Sequence, residues 1–191
     1  MDLNDFLEVF DNALPLENIA TIIKWVNTQS EFELGGIGKD CTIDKNIRDV
    51  QILPLNHYDG TSKTRIHWGN YLNFIIWNGM KMYEHRKCPI HGGISIECIN
   101  ELSILKYETG GFYSIHSDHF GARPRTLSAI MFLNNDYEGG HLEFYDPSNK
   151  LMRDIEPVPG RLIIWPSNFM YKHKVTPVTK GKRFSIVAWA I

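Results

Sequence analysis

His116-Ser117-Asp118 places an imidazole and a carboxylate two residues apart. In an extended strand, residues i and i+2 project from the same face, so the two side chains converge while His119 points the other way. One histidine from a distant strand would complete a two-His, one-carboxylate set. Such a set leaves coordination positions open and suits non-haem Fe(II). His173, in the strand-like run YKHKV, is the best candidate for the third ligand. A competitor is present: His141-Leu142-Glu143 has the same spacing and could pair with His173. Isolated HxD and HxE pairs are common by chance, and the bland reading of each is a polar or half-buried strand residue.

Arg183 and Ser185 carry a second possibility. They share a strand face by the same period-two argument. An Arg fork beside a hydroxyl is a good receptor for a carboxylate in a dry pocket. A solvated Arg after the TKGK turn competes with that reading.

These side chains need elements to hold them. Leu16 to Asn27 has apolar residues at helical spacing (Leu16, Ile19, Ala20, Ile22, Ile23, Val26) with Pro15 at its start. A short strand is expected at Val50 to Leu53, ending in Pro54, and a loop at Asn56 to Arg65. His67 to His85 predicts a second helix, with Trp68, Leu72, Ile75, Ile76 and Met80 on one broad apolar side. From Ile94 onward the texture changes to short apolar runs between turn signals: ISIEC, SILKY, GFYSIH, TLSAIMFL, HLEFY, RLIIW, KVTPV and FSIVAWAI. That is the pattern of a sandwich or jelly roll. The expected fold is therefore mostly β with flanking α, the helices packed outside one β core. The expected organisation is one domain over 1–191, with 1–93 a helical or mixed support region and 94–191 the core.

Composition bounds the function. The 191 residues carry 43% hydrophobic and 22% charged side chains, as an ordinary globular chain does. The formal net charge of −2 argues against a general polyanion binder, although a local basic patch stays open. Cys41, Cys88 and Cys98 are odd in number and lack CxxC spacing, which favours a reducing compartment over a disulfide framework. The N-terminus MDLNDFLEVFDNALP is acidic and has no long apolar run, so it does not read as a secretion signal. Apolar stretches such as Phe74 to Trp77 are too short to span a bilayer. A cytoplasmic location, or host cytoplasm for a viral source, and no membrane partner are the expectations.

Taken in order, Tyr107…Gly110…His116-x-Asp118, Arg125-Thr126, Phe132-Leu133-Asn134, Tyr137-x-Gly139-Gly140, Pro157-x-x-Gly160, His173-x-Val175-x-Pro177-Val178, Gly181-x-Arg183 and Trp189 resemble one family. It is the prolyl-4-hydroxylase-like branch of the Fe(II)/2-oxoglutarate-dependent dioxygenases, and the likeness covers about residues 100–191. The resemblance implies a double-stranded β-helix, a form of jelly roll, with iron at one open end. It places His116, Asp118 and His173 on the iron ligands. It places Arg183 on the residue that pairs with the distal carboxylate of 2-oxoglutarate, Ser185 beside it, and Tyr107 on a wall of the cosubstrate pocket. Trp189 falls on an aromatic position behind the site, where packing is at least as good an explanation as catalysis. His141 becomes a strand residue outside the metal's immediate ligands. Two departures stand out: Phe132 sits where some relatives have a Tyr that donates to 2-oxoglutarate, and Arg183 sits where the animal collagen enzymes use Lys.

The activity implied is hydroxylation of a substrate C–H bond, with Fe(II) as cofactor, 2-oxoglutarate and O₂ as cosubstrates, succinate and CO₂ as products, and ascorbate left open. A peptidyl proline is the expected substrate. A free amino acid or other small molecule is the alternative, and a non-catalytic jelly-roll binding module the weaker one. Nucleic acid is disfavoured, because that branch typically carries a second Arg six residues after the first and this chain has Trp189 there. The loop Asn56 to Arg65 is a candidate lid. His119, Arg123 and Arg125 are candidate contacts to an acidic or peptide substrate, with a solvated turn as the competing reading. Tyr113, on the opposite strand face from the ligands by odd–even counting, is expected in the core. Oligomeric state is left open.

Overall fold

The computed structural model describes residues 2–38, 40–56, 60, 62–87, 94–119, 121 and 124–191. Among them the chain runs through a 3-10 turn (Leu3–Phe6), β1 (Glu8–Phe10), α1 (Leu16–Val26), β2 (Glu33–Leu34), β3 (Arg48–Asp49), β4 (Gln51–Pro54) and α2 (Lys63–Lys87). There follow β5 (Ile99–Tyr107), β6 (Phe112–His116), β7 (Leu127–Phe132), β8 (Glu138–Gly139), β9 (Leu142–Tyr145) and β10 (Leu151–Ile155). The last elements are β11 (Leu162–Pro166), β12 (Lys172–Val175), β13 (Val178–Lys180) and β14 (Arg183–Ala190).

The described strands build a major sheet in the order β1-β11-β7-β14-β5-β4-β2 and a minor sheet in the order β10-β9-β12-β6-β3, with β8 and β13 as a separate ribbon. All pairings are antiparallel. Two sheets facing across an apolar layer form the double-stranded β-helix, as expected. The burial pattern explains the sequence texture. β7, β11 and all but one residue of β14 are buried without alternation, because helices cover one face of the major sheet and the minor sheet covers the other. In the minor sheet Leu142 and Phe144 are buried while Glu143 and Tyr145 are half-exposed, the alternation of a sheet with one face in water. That alternation turns His173 and Val175 of β12 inward.

α1 buries Ile19, Ile22 and Val26. α2 buries Trp68, Leu72, Ile76, Met80 and Tyr83, a stripe at spacings of three and four residues. Gly79 lets this helix approach β11: a Cβ there would lie 2.7 Å from Leu162 Cδ2 and 3.2 Å from Ile164 Cδ1. No helix among the described residues is long and apolar enough to cross a membrane.

Several expectations need correction. Strands β1 to β4, from the region expected only to support the core, join both sheets: β1 pairs with β11, β4 with β5, and β3 with β6. ISIEC is not a strand. Its Glu97 and Cys98 N–H groups bond the Ile191 carbonyl, but a register shift after Trp189 interrupts the ladder. KVTPV divides at Pro177 into β12 and β13, since proline cannot donate to a ladder. The loop expected to reach Arg65 ends earlier, because α2 begins at Lys63. Buried Arg65 then anchors that helix start by bonding Pro54 O and Glu31 Oε2, each at 2.7 Å. The rest of the proposed lid, at 57–59 and 61, lies outside the described residues, as do Cys88, Phe120 and Arg123.

Candidate active site

His116 ends β6, and His173 lies directly opposite it in β12. Asp118 sits two residues beyond β6, so the carboxylate arrives from the loop after the strand and not from the strand itself. The ligand atoms of His116, Asp118 and His173 all lie within 4.8 Å of one another. His116 Nε2 is 3.7 Å from Asp118 Oδ1, and His173 Nε2 is 3.6 Å from Asp118 Oδ2. Each imidazole donates its Nδ1–H to a backbone carbonyl two residues back, His116 to Ser114 at 2.8 Å and His173 to Tyr171 at 3.2 Å. These bonds fix the tautomer that turns the Nε2 lone pair toward the cluster. Burial, then the nearby His173, pushes the His116 pKa down to about 3, so the ring is neutral and ready to ligate.

Asp118 is also buried, and burial alone would raise its pKa. His173, His116, a hydrogen bond from Ser128 and Arg125 outweigh burial and hold it below the usual aspartate value. Ser128 Oγ donates to Asp118 Oδ2 at 2.6 Å, and Ser167 Oγ lies 2.8 Å from Ser128 Oγ. The rival pair is elsewhere. His141 is exposed and meets Asp154 at 3.0 Å, while Glu143 is engaged by Lys174 at 2.9 Å and by Tyr145.

The second constellation also forms. Arg183, the first residue of β14, is fully buried and lies opposite Tyr107 of β5. Its Nη1 donates to Ser185 Oγ at 2.9 Å, as the shared strand face required. Its guanidinium carbon is 5.1 Å from the Tyr107 ring centroid and 5.2 Å from that of Phe132. Nε and Nη2 have no hydrogen-bond partner. Burial raises the Tyr107 pKa; of the charges acting on it, Arg183 and Arg48 oppose that and Asp118 adds to it. Tyr107 thus lies within electrostatic reach of both constellations.

A cavity of about 900 Å³ opens beside the cluster, lined among others by His116, Asp118, Tyr113, Trp189, Arg48 and Arg125. Tyr113 corrects an expectation. Its ring stacks on His116 with centroids 3.6 Å apart, because the His173↔His116 and Val175↔Tyr113 pairs enclose a β-bulge that reverses the odd–even face count. Trp189 faces the cavity too, beneath Arg125, whose guanidinium carbon is 3.6 Å from the ring centroid. Arg125 is turned inward, bonding Glu101 Oε1 at 2.8 Å and the Asp118 carbonyl at 3.2 Å, while His119 is exposed. Arg48 bonds the Gly36 carbonyl at 2.7 Å and lies 4.5 Å from the Tyr113 centroid, linking Gly36, itself on the cavity lining, to the ring stacked on His116. Asn56, from the loop expected as a lid, also lines the cavity, and residues 57–59 and 61 of that loop lie outside the described residues. Ser128, Ser167, Arg48 and Tyr113 had no motif to announce them; the β-bulge and tertiary packing bring them in.

Comparison with known proteins gives this geometry a context. The model of the 2OG-Fe(II) oxygenase superfamily matches residues 102–191. A PKHD-type hydroxylase of Idiomarina loihiensis is 31% identical over 96 residues, which is 48% of this chain and 42% of that protein. The chain therefore matches about two fifths of that curated relative's length. A Pseudomonas putida prolyl-4-hydroxylase structure superposes with a TM-score of 0.72 at 20% identity, covering 97% of this chain and 91% of that one. A Trichoplax adhaerens prolyl hydroxylase in complex with a hypoxia inducible factor oxygen degradation domain peptide fragment superposes with a TM-score of 0.80 at 20% identity, covering 99% and 85%. These likenesses establish a shared fold.

The family's cofactor and cosubstrate fit the residues present. Two imidazoles and one carboxylate converging within 4.8 Å are the donor set for an Fe(II) with open positions. A buried guanidinium with two unpaired nitrogens, Nε and Nη2, is the complement of a carboxylate. Residues 102–191, just under half of the chain, are thus similar to the 2OG-Fe(II) oxygenase superfamily in both sequence and site chemistry.

Proposed function

We propose that the protein is an Fe(II)- and 2-oxoglutarate-dependent dioxygenase that hydroxylates a C–H bond of a peptide, most readily at proline, with release of succinate and CO₂. Bound Fe(II), with O₂ and 2-oxoglutarate, supplies the oxidising power for that reaction. The protein's part is to hold and to exclude. His116, Asp118 and His173 would hold the iron, Arg183 with Ser185 would hold the distal carboxylate of 2-oxoglutarate, and Tyr107 would wall the space between them. Tyr107 and Tyr113 both have raised pKa values, burial being the main cause, so both stay neutral beside the metal. No side-chain general base is needed.

The observation that carries this reading is the pairing of the convergent His116–Asp118–His173 cluster with a buried Arg183 that lacks hydrogen-bond partners at two of its three guanidinium nitrogens. A cavity of about 900 Å³ with Tyr113 and Trp189 on its wall suits a peptide segment. The Trichoplax adhaerens relative in complex with its peptide supports a peptide over a free amino acid. The test is succinate formation on addition of O₂ to protein loaded anaerobically with Fe(II) and 2-oxoglutarate, across proline-containing peptides and free amino acids. Peptide-stimulated succinate supports the reading, stimulation by free amino acids alone would move the substrate to small molecules, and no succinate would overturn the chemistry.

A further inference from the structure

Tyr137 stands just before β8, in the Tyr-x-Gly-Gly run, and its hydroxyl is buried without a hydrogen-bond partner. Its ring is held in place by the glycines around it. A Cβ on Gly140 would lie 3.1 Å from Tyr137 Cε2 and 3.0 Å from Arg183 Cδ, so only a residue without a side chain lets these two groups flank it. Gly140 and Gly181 both have positive φ, at 61° and 82°, and a Cβ on Gly181 would lie 3.3 Å from Tyr137 Cβ. The ring is thus directed along the side of Arg183, the charge that acts most strongly on it. Another neighbouring ring, Phe132, with its centroid 5.2 Å from the Arg183 guanidinium carbon, has no hydroxyl.

A buried hydroxyl and two buried guanidinium nitrogens, interacting with each other but with no further hydrogen-bond partner, are costly in an empty protein and are relieved together by one acceptor with several lone pairs. A carboxylate is such an acceptor. We propose that Tyr137 donates its O–H to the distal carboxylate of 2-oxoglutarate alongside Arg183, supplying from the β8 turn the hydroxyl that Phe132 lacks. This inference rests on the dioxygenase reading above.

The test measures binding and not turnover. Titration calorimetry of 2-oxoglutarate into Mn(II)-loaded protein gives the affinity, with 2-oxobutyrate, a 2-oxo acid without the distal carboxylate, as comparator. Tyr137→Phe should weaken 2-oxoglutarate about tenfold, as expected for a hydrogen bond to a charged group. It should leave 2-oxobutyrate affinity and Mn(II) affinity within about twofold of wild type. Unchanged 2-oxoglutarate affinity would overturn the proposal, as would equal weakening of both acids, which would make the ring a packing element. If the wild-type protein itself fails to bind 2-oxoglutarate, the dioxygenase reading falls, a result distinct from a Tyr137→Phe variant that binds like wild type.

Discussion

Ser128 Oγ donates to Asp118 Oδ2 at 2.6 Å, so one oxygen of the candidate metal carboxylate is already oriented by a buried hydroxyl. Ser167, 2.8 Å from Ser128, holds that hydroxyl in turn. Orientation of a ligand by a hydrogen bond behind it commonly changes metal affinity by about 10–100-fold. Ser128→Ala should therefore weaken Mn(II) binding by about tenfold or more while the far-UV circular dichroism stays native. Affinity equal to wild type would show that packing alone positions Asp118.

The ligand assignment separates cleanly from its rival. His116→Ala, Asp118→Ala and His173→Ala should each abolish tight Fe(II) binding, because each removes one of three protein donors. His141→Ala should leave it intact, since His141 pairs with Asp154 away from the cluster. Equilibrium dialysis against Fe(II) under anaerobic conditions reads both outcomes.

Arg183 gives a paired expectation. Without 2-oxoglutarate, its two unpaired buried nitrogens are a desolvation cost. Arg183→Met should then keep or raise the Tm of the ligand-free protein. The same change should remove the Tm increase that metal plus 2-oxoglutarate gives the wild type, because binding to the folded state alone stabilises by mass action. Differential scanning fluorimetry with and without the cosubstrate measures both. The lost charge-assisted pair is worth about 1.5–3 kcal/mol, so the 2-oxoglutarate requirement should rise about tenfold or more.

The N-terminal strand has an acid-sensitive clamp. Glu8 of β1 meets Arg86 at 2.8 Å and Lys87 at 2.7 Å, at the end of α2. Burial alone would raise the Glu8 pKa, but hydrogen bonds from Lys87 and Arg86 outweigh it and hold it below the usual glutamate value. A depressed folded pKa contributes stability that is present above the unfolded value, about 4.3, and lost as pH falls through the folded one. Solvent screening limits it to about 0.5–1 kcal/mol. Urea denaturation of Glu8→Gln should show that loss at pH 7 and convergence with wild type below about pH 4.

How far the residues alone reveal this site follows from what each piece depends on. The pairing of His116 with Asp118 and of Arg183 with Ser185 was legible as i, i+2 spacing, a local property, whereas the choice of that pair over His141-x-Glu143, and of His173 as its partner, came from the order of motifs along the whole chain. Tyr113 was not legible, because its position beside His116 depends on a β-bulge that only strand pairing determines. Ser128 lies in TLSAIMFL, where one serine in a buried strand looks like any other small residue until Asp118 is placed against it. β10 was missed because LMRDI alternates weakly and is mostly exposed at the sheet edge. The fold expectation survived these local errors because the longest apolar runs that built it, in β7, β11 and β14, are strands buried on both faces.

The central claim is that the His116–Asp118–His173 cluster and Arg183 together make an Fe(II)/2-oxoglutarate site. The most direct measurement is succinate formed from 2-oxoglutarate under O₂ by protein whose Fe(II) occupancy has been established, with Asp118→Ala alongside. The expected result is Fe(II)-dependent succinate in the wild type, increased by a proline-containing peptide, and none in Asp118→Ala. Iron-loaded wild-type protein that forms no succinate, or an Asp118→Ala variant as active as wild type, would contradict it.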